Sequence, residues 1–308
     1  MHRSSTSARL ITVIIAVVVA PFGAGLIATG GSSWVFAYGQ YALAGIDLGR
    51  FAIPILLQAV GILLLLLVTM TGIWSSAGLI AVGVLAIVPL VISLFPSLLL
   101  EAYRLGAGVL PVEWLDGLAY GLPLILLPVL GTMGLVLAMV RRRPEAPGVG
   151  LSVGGLVVAP VLLLAGVLLL SWGVGRTRIV ALQQYRFDFV PEAAAAILIG
   201  TLAIIAGVFI TRWSRFALVL PALALLVVSA LVFAPRVLLP ALSVLPMEGS
   251  RPLSTLILVG GGTAAAILYL GFTAVLARVR AQAATTPAVV APTAPYPPSA
   301  PYPPAPGA

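Results

Sequence analysis

The chain has 308 residues, of which 61% are hydrophobic and 8% are charged, and its formal net charge is +8. A water-soluble domain of this size cannot bury so much apolar surface, so the composition indicates an integral membrane protein whose main partner is the lipid bilayer. All 16 basic residues are arginines scattered in ones, twos and threes, and no solvated domain is large enough to present them to nucleic acid, so we expect no nucleic-acid partner.

The first predicted membrane-spanning helix follows a basic start that contains Arg3 and Arg9. A cleaved signal peptide also begins in this way. However, the apolar stretch that follows is about 20 residues long, which exceeds a usual signal core. We therefore expect this segment to be retained as a span.

Residues 51–100, between Arg50 and Glu101, contain no charged side chain. A single helix of this length would measure about 75 Å, whereas a bilayer core is about 30 Å thick. The segment therefore predicts two spans joined by the turn Thr71–Ser76, which contains Gly and Ser. Along the whole chain, the same reasoning predicts an all-α integral membrane protein with eight transmembrane helices, at about 10–30, 51–70, 77–100, 119–140, 151–172, 192–211, 216–234 and 253–276.

The arginines predict the orientation of these spans. With the N-terminus inside, the cytoplasmic segments carry nine arginines and one acid, Glu145, while the outer loops carry seven arginines and seven acids. Positive residues favour the cytoplasmic side, so we expect a multi-pass plasma-membrane protein with both termini in the cytoplasm. The cytoplasmic turns are expected to be short, and the four outer loops to run to about 18–20 residues each.

Short sequences recur in the same order at a nearly constant separation. "VVAP" occupies Val18–Pro21 and recurs at Val157–Pro160, and we call the separation in sequence between Pro21 and Pro160 the repeat offset. Matches at or within a few positions of this offset pair Ser33–Trp34 with Ser171–Trp172, Trp74–Ser75 with Trp213–Ser214, Pro96 with Pro235, Leu110–Glu113 with Leu245–Glu248, and Arg141 and Arg143 with Arg278 and Arg280. Chance matches within a repetitive apolar sequence are the alternative.

The series predicts a tandem duplication of a four-helix unit, covering residues 1–143 and 149–280, with a linker at 144–148. Each unit has an even number of spans, so the units are expected to be parallel and related by a pseudo-twofold axis along the membrane normal. Pro96 and Pro235 are expected to kink the third and seventh spans.

Residues 281–308 are predicted to form a disordered, proline-rich cytoplasmic tail. "APYPP" occurs there at Ala294–Pro298 and again at Ala300–Pro304. Such a sequence favours extended polyproline II and cannot build a core. Alternatively, the tail is a docking peptide for a protein partner with an aromatic-lined groove.

Few residues carry obvious chemistry. The chain has no cysteine and its one histidine is His2, so we expect no catalytic residue, no metal ligand and no cofactor. No charge lies near the middle of a span, which argues against a proton-coupled pump. The polar residues inside the spans are expected to form hydrogen bonds between helices; they are Gln58, Thr69, Thr132, Thr201 and Thr263. The glycines of "VGGGT", Val259–Thr263, are expected to permit close helix contact inside the eighth span rather than to unwind it around a ligand.

The remaining charges cluster in the predicted outer loops. If the duplication holds, Glu113 and Glu248 occupy equivalent positions, with Arg104 beside the first and Arg236 or Arg251 beside the second. We hypothesise that these residues form the polar mouth of a cleft between the two units. The alternative is that they are solvated loop charges.

Three functions remain open at this stage. The first is a non-enzymatic protein for envelope assembly or partner binding, favoured by the lack of catalytic residues and by the proline-rich tail. The second is a transporter or channel for a small or lipidic molecule, favoured by the paired units. The third is an enzyme that acts at the outer face through loop acids. A polar cavity between the units would favour transport, convergent carboxylates an enzyme, and a packed interior the first function.

Overall fold

The computed structural model describes residues 6–41, 48–142, 148–214, 216–234, 236–238, 240 and 247–285. Every regular element within these ranges is helical. The α-helices are α1 (Thr6–Tyr41), α2 (Leu48–Thr71), α3 (Ala77–Leu85), α4 (Ile87–Leu94), α5 (Pro96–Gly106), α6 (Val112–Ala119), α7 (Leu122–Arg142), α8 (Val149–Arg178), α9 (Pro191–Phe209), α10 (Val219–Ala230), α11 (Met247–Leu258) and α12 (Gly261–Thr285).

Seven helical segments within the described ranges are long and apolar enough to cross a membrane. They are Thr6–Phe36, Phe51–Thr71, Ala77–Leu94, Leu122–Arg142, Gly150–Gln183, Pro191–Arg212 and Gly261–Ala283. Val219–Phe233, which consists of α10 and the 3₁₀ turn after it, is a shorter apolar helix. These long apolar helices confirm the prediction of a helical membrane protein. Helices are expected in hydrocarbon because each helix pairs its own backbone polar groups.

The third predicted span, at 77–100, is interrupted. Phe95 adopts an extended conformation, with φ −120° and ψ 114°, and Pro96 begins α5. A proline disfavours helical geometry in the residue before it, which explains the break. Ala234 is also non-helical, with φ −124° and ψ 68°, and it precedes Pro235, which lies outside the described residues.

The start predicted for the eighth span, at residue 253, is wrong. α11 ends at Leu258 and α12 begins at Gly261, with Gly260 between them at φ +90°. This left-handed conformation suits glycine because it has no Cβ. Gly121, which precedes Gly260 by the repeat offset, has φ +82° and directly precedes α7. Of the glycines of Val259–Thr263, Gly260 therefore lies at a break between helices, and Gly261 and Gly262 begin α12.

The segments predicted as outer loops, which could have been short interfacial helices, are largely helical within the described residues. α1 continues to Tyr41 and α2 begins at Leu48; α8 is extended by the π-helix Ile179–Gln183. An apolar segment keeps its backbone groups paired by remaining helical, which favours these extensions. The predicted tail likewise begins later than residue 281, because α12 runs to Thr285, and residues 286–308 and 143–147 lie outside the described ranges.

α1 packs along α2, and α8 packs along α9, through close glycine contacts. A Cβ on Gly61 would lie 2.6 Å from the Gly23 carbonyl oxygen, and a Cβ on Gly200 would lie 2.7 Å from that of Gly166. The backbones in both pairs therefore touch, as small residues allow in membrane helices.

These glycine contacts correct the register predicted for the first and fifth spans. Gly61 and Gly200 are separated by the repeat offset, but their partners Gly23 and Gly166 are about one helical turn further apart. The two "VVAP" sequences are separated by the repeat offset, so they do not occupy matching positions in these helix contacts. They differ by about one helical turn.

Two arginines make matching contacts at one end of the bundle. Arg141 Nη2 donates to the carbonyl oxygens of Gly72 and Ile73, the latter at 2.9 Å. Arg280 Nη2 donates to those of Thr211 at 2.9 Å and Arg212 at 2.8 Å. The acceptors are carbonyls at helix C-termini, which have no intrahelical partner. Donors and acceptors are each separated by the repeat offset, so the packing pairs Arg141 with Arg280 and not with Arg278.

The first four spans meet the last four mainly along three helix pairs. α12 packs along both α2 and α7, and α9 packs along α7. One large hydrophobic core runs through these contacts and includes Leu65, Leu130, Ile204 and Phe272, all fully buried. The faces of α1, α8 and α10 that point away from this core are rich in exposed Leu, Ile and Val, as expected of helices in lipid.

Candidate functional site

A pocket of about 360 Å³ lies between the first and last helices of the chain. We call it the interface pocket. α1 and α2 form one wall, and α10 with its 3₁₀ turn, α11 and the start of α12 form the other. Its volume lies at the lower end of the range typical of small-molecule sites. Its lining is hydrophobic, apart from Gly260 and the polar side chains of Gln58, Ser229 and Thr263.

Gln58 is placed by two glycines. It lies in the second turn of the span that starts at Phe51, a depth of about 10 Å along α2. A Cβ on Gly30 would lie 3.0 Å from Gln58 Cγ, so α1 approaches it closely. A Cβ on Gly260 would collide with Gln58 Oε1. The break before α12 therefore leaves room for the amide of Gln58 at the wall of the pocket.

Ser229 brings an unsatisfied hydroxyl to the opposite wall. The residue is 9% exposed, and its Oγ is enclosed without a hydrogen-bond partner among the described residues. It lies against the start of α12, because a Cβ on Gly262 would be 2.8 Å from Ser229 Oγ. An enclosed polar group without a partner costs about 1–3 kcal/mol.

The first turn of α12 adds backbone donors to the same wall. Ala264 N–H donates to the Gly260 carbonyl oxygen and begins the helical ladder. No backbone carbonyl within the described ranges accepts a hydrogen bond from the N–H groups of Gly261, Gly262 or Thr263. This is the usual state of a helix N-terminus, which also carries a partial positive charge.

Aromatic rings close one side of the pocket. Trp34 is buried and packs against Phe51, with their ring centroids 4.4 Å apart and their ring planes tilted by 58°. Phe233 meets Trp34 edge to face at 5.6 Å and comes from the last four spans. These contacts hold the two walls together over an apolar surface. The arrangement suits a molecule that is mainly hydrocarbon.

A second, small pocket is lined by Ser93, Leu118 and Val174, among others, and has no room for a water molecule. The residues one repeat offset away from Gln58, Ser229 and Thr263 are Ile197, Leu90 and Leu124. Ile197 and Leu124 are fully buried. All three of these positions are therefore occupied by aliphatic residues.

The predicted hydrogen bonds between helices were partly wrong. Thr69 donates to the Leu65 carbonyl oxygen at 3.0 Å, and Thr132 to that of Pro128 at 2.8 Å. Both bonds stay within one helix, since a Thr hydroxyl reaches the carbonyl one turn earlier. Gln58 forms no hydrogen bond with another described residue; it lines the pocket instead, which its sequence position alone did not reveal.

Glu113, Arg104, Arg236 and Arg251, the predicted outer-mouth residues whose side chains the structure describes, do not line the interface pocket. Glu113 is half-buried in the first turn of α6. Arg104 forms an exposed ion pair with Glu101 at 3.5 Å, which is worth at most about 1 kcal/mol. Arg236 and Arg251 are exposed, and the side chain of Glu248 lies outside what the structure describes. Their joint role as a mouth remains a hypothesis.

A second polar cluster joins α5, α6 and the end of α8. Tyr103 donates to Asp116 Oδ1 at 2.7 Å, and the guanidinium of Arg178 lies 4.3 Å from the ring centroid of Tyr120. Burial raises the pKa of the Tyr103 phenol, and its hydrogen bond to the Asp116 carboxylate raises it further. The cluster links the first four spans to α8, and sequence reasoning had treated its charged members only as outer charges.

Within the described ranges, no three His, Cys, Asp or Glu side chains come close enough together to hold a metal ion. No protein-family model, curated protein or solved structure matches this chain. The function proposed below therefore rests on the geometry of the interface pocket.

Proposed function

We propose that this chain is an eight-span plasma-membrane protein that binds a lipidic molecule in the interface pocket and serves as its carrier. The observation that carries this proposal is a mainly apolar pocket between the first and last helices, with a few polar groups in its lining. No described carboxylate lines the pocket, which disfavours an enzyme with its site there. An assembly role through the proline-rich tail rests on residues 286–308 and stays a prediction.

The proposed architecture consists of two parallel four-span units, covering residues 1–143 and 149–280. Three matched features support it: the positive-φ glycines Gly121 and Gly260, the glycine contacts of α2 and α9, and the arginine contacts of Arg141 and Arg280. Gly121 and Gly260, Gly61 and Gly200, and Arg141 and Arg280 are each separated by the repeat offset, whereas the glycine partners on α1 and α8 are about one helical turn further apart. Chance repetition of apolar residues does not account for matched hydrogen bonds.

The positions of the C-terminal ends of α7, α9 and α12 support eight membrane crossings. Arg212 Nη1 lies 3.5 Å from Met139 Sδ, and Arg280 donates to the carbonyl of Thr211. The C-terminal ends of α7, α9 and α12 are therefore at the same end of the bundle. Since α9 and α12 both end there, the chain between them has to return to the opposite end. Val219–Phe233 is the apolar helix available for that crossing.

The arginines at this common end support a cytoplasmic location for it. Arg141, Arg142, Arg212 and Arg280 all lie there, and positive side chains favour the cytoplasmic face. The N-terminus and the end of α12 then both lie in the cytoplasm. The interface pocket lies beside the middle of α2, from Ile55 to Leu63, and therefore extends toward the middle of the membrane.

A pocket-filling variant tests the carrier proposal. Ala59→Phe adds a ring at the wall of the interface pocket, whereas Ala195→Phe adds the same ring at an exposed position of α9 that does not line the pocket. Full-length protein extracted from membranes in mild detergent is expected to carry co-purified lipid, measured by native mass spectrometry. We expect Ala59→Phe to lose that lipid and Ala195→Phe to keep it. Equal retention in both variants, or none in the unmodified protein, would contradict the proposal.

A further inference from the structure

The segment that joins α5 to α6 carries large apolar side chains on its surface. Leu105 is 75% exposed and Val109 is 79% exposed, and Leu110 and Val112 are exposed as well. We call residues 105–112 the α5–α6 tip. A contiguous apolar surface of this kind usually contacts a partner, and its position in the fold indicates which one.

Trp114, which follows the tip by two residues, shows how deep it lies along α1. Its indole N–H donates to Thr29 Oγ1 at 3.2 Å, and its ring meets Phe22 edge to face at 5.7 Å. Both partners belong to the apolar span Thr6–Phe36. A hydrocarbon core of about 30 Å, measured along α1 from its last charged residue, Arg9, reaches about Thr29. Trp114 therefore lies at the edge of the hydrocarbon, where tryptophan is enriched in membrane proteins.

The start of α7 gives the same depth independently. A distance of about 28 Å, measured back along α7 from Arg141, reaches its first residue, Leu122. α6 ends at Ala119, directly before this point, and it packs closely on α1, because a Cβ on Gly117 would lie 2.6 Å from Ala28 Cβ. α6 and the tip that leads into it therefore lie at the membrane boundary and not in the water above it.

The backbone of the tip suits a place at this boundary. The N–H groups of Val109 and Leu110 both donate to the Gly106 carbonyl oxygen at 3.0 Å, and Pro111 has no N–H. Gly108 turns the chain with φ +83°, and its N–H finds no backbone acceptor within the described ranges. Lipid offers few hydrogen-bond partners, so a segment that enters it needs its backbone groups paired internally. The tip largely meets this requirement.

α5 divides its exposed surface between apolar and charged side chains. At 3.6 residues per turn, Leu98 and Leu105 lie within about 20° of each other around the helix, whereas Arg104 lies about 100° from Leu105. Glu101 lies between them and forms an ion pair with Arg104 at 3.5 Å. Leu99, on the opposite face, is buried. A helix with an apolar flank and a charged flank is suited to lie at a membrane surface.

We propose that the α5–α6 tip is an interfacial anchor. It inserts Leu105, Val109 and their apolar neighbours into the lipid leaflet at the end of the bundle opposite Arg141, and it keeps Arg104 in the head-group layer. Residues 96–121 carry three acids and one arginine, so apolar burial drives the insertion and anionic lipid is not required. The anchor does not depend on the interface pocket or on a carrier function.

The test uses site-directed spin labels, because the chain has no cysteine of its own. Leu105→Cys and Val109→Cys report on the tip. Arg104→Cys is the matched control, since its side chain is 79% exposed and adjacent to Leu105 in sequence. Leu164→Cys, an exposed position on the span formed by α8, marks lipid contact. Full-length protein is labelled in detergent and reconstituted into nanodiscs of zwitterionic phospholipid, which leave both faces accessible. Power-saturation EPR then compares the accessibility of each label to oxygen, which concentrates in lipid, and to a water-soluble nickel chelate.

The ratio of oxygen to nickel accessibility decides the proposal. We expect this ratio at Leu105→Cys and Val109→Cys to exceed that at Arg104→Cys by about 3–10-fold and to approach that at Leu164→Cys, because a polar chelate is excluded from hydrocarbon. Equal, water-like ratios at 104 and 105 would overturn the proposal. Low accessibility to both reagents at Val109→Cys would mean that a protein surface, such as a second copy of the chain, covers the tip, and would overturn it too. A lipid-like ratio at Arg104→Cys would contradict the interfacial placement.

Discussion

Replacing the two positive-φ glycines tests whether Gly260 lies against Gln58. Gly121 and Gly260 share nearly the same φ, +82° and +90°, so alanine at either position costs about 1–2 kcal/mol of backbone strain. At Gly121 the added Cβ would meet only Val174 and Leu170 side chains, at 3.3 Å and beyond. At Gly260 it would collide with Gln58 Oε1, which adds about 1–3 kcal/mol of overpacking. We therefore expect Gly260→Ala to lower the free energy of unfolding by about 2–5 kcal/mol, and Gly121→Ala by about 1–2 kcal/mol.

The collision is removed by shortening Gln58. In a Gln58→Ala background, Gly260→Ala is expected to cost about as much as Gly121→Ala, whereas the cost of Gly121→Ala is expected not to change. Unfolding by SDS titration in mixed micelles, followed by circular dichroism, measures all these variants as one double-mutant cycle. Equal costs at the two glycines, with no coupling between Gly260 and Gln58, would refute the packing described for the pocket wall.

Other predictions concern the ends of the bundle. Arg141→Met and Arg280→Met are each expected to lower the free energy of unfolding by about 1–3 kcal/mol and to add independently, while exposed Arg142→Met should have little effect; strongly non-additive losses would contradict two separate sites. A reporter active only outside the cytoplasm is expected to be silent when fused after Arg280 and active when placed near Glu113, and the reverse pattern would overturn the orientation. Because the pKa of the Tyr103 phenol is raised above its usual 10.0, its contribution to stability is present below about pH 10 and is lost as pH rises further. Tyr103→Phe is therefore expected to flatten the fall in stability between pH 9 and pH 11, and an unchanged profile would count against the buried phenol.

Hydrophobic run lengths predicted several spans closely. The second was expected at 51–70 and is observed at Phe51–Thr71, and the fourth at 119–140 and is observed at Leu122–Arg142. Charged residues and glycine-containing turns lie at the ends of these segments, so composition alone places those ends within a few residues. The helical extension of α1 to Tyr41 was missed because an apolar loop and an apolar helix have the same composition.

The pocket could not be predicted from the same signals. A glycine cluster such as Val259–Thr263 suits both a tight helix contact and a break, and only the tertiary position of Gln58 distinguishes them. Gln58 and Thr263 were recognised as polar residues in apolar surroundings. Their convergence with Ser229 depends on how α2, α10 and α12 approach one another, which no local pattern encodes.

The aliphatic residues one repeat offset away from the polar residues of the pocket have a practical consequence for protein engineering. Under the proposed duplication, Ile197, Leu90 and Leu124 occupy the positions equivalent to Gln58, Ser229 and Thr263, and Ile197 and Leu124 are fully buried. Introducing them as Gln58→Ile, Ser229→Leu and Thr263→Leu is a way to design a variant in which the interface pocket is filled. The reverse exchange is a way to design a second pocket in the other half, so that one chain would have two binding sites.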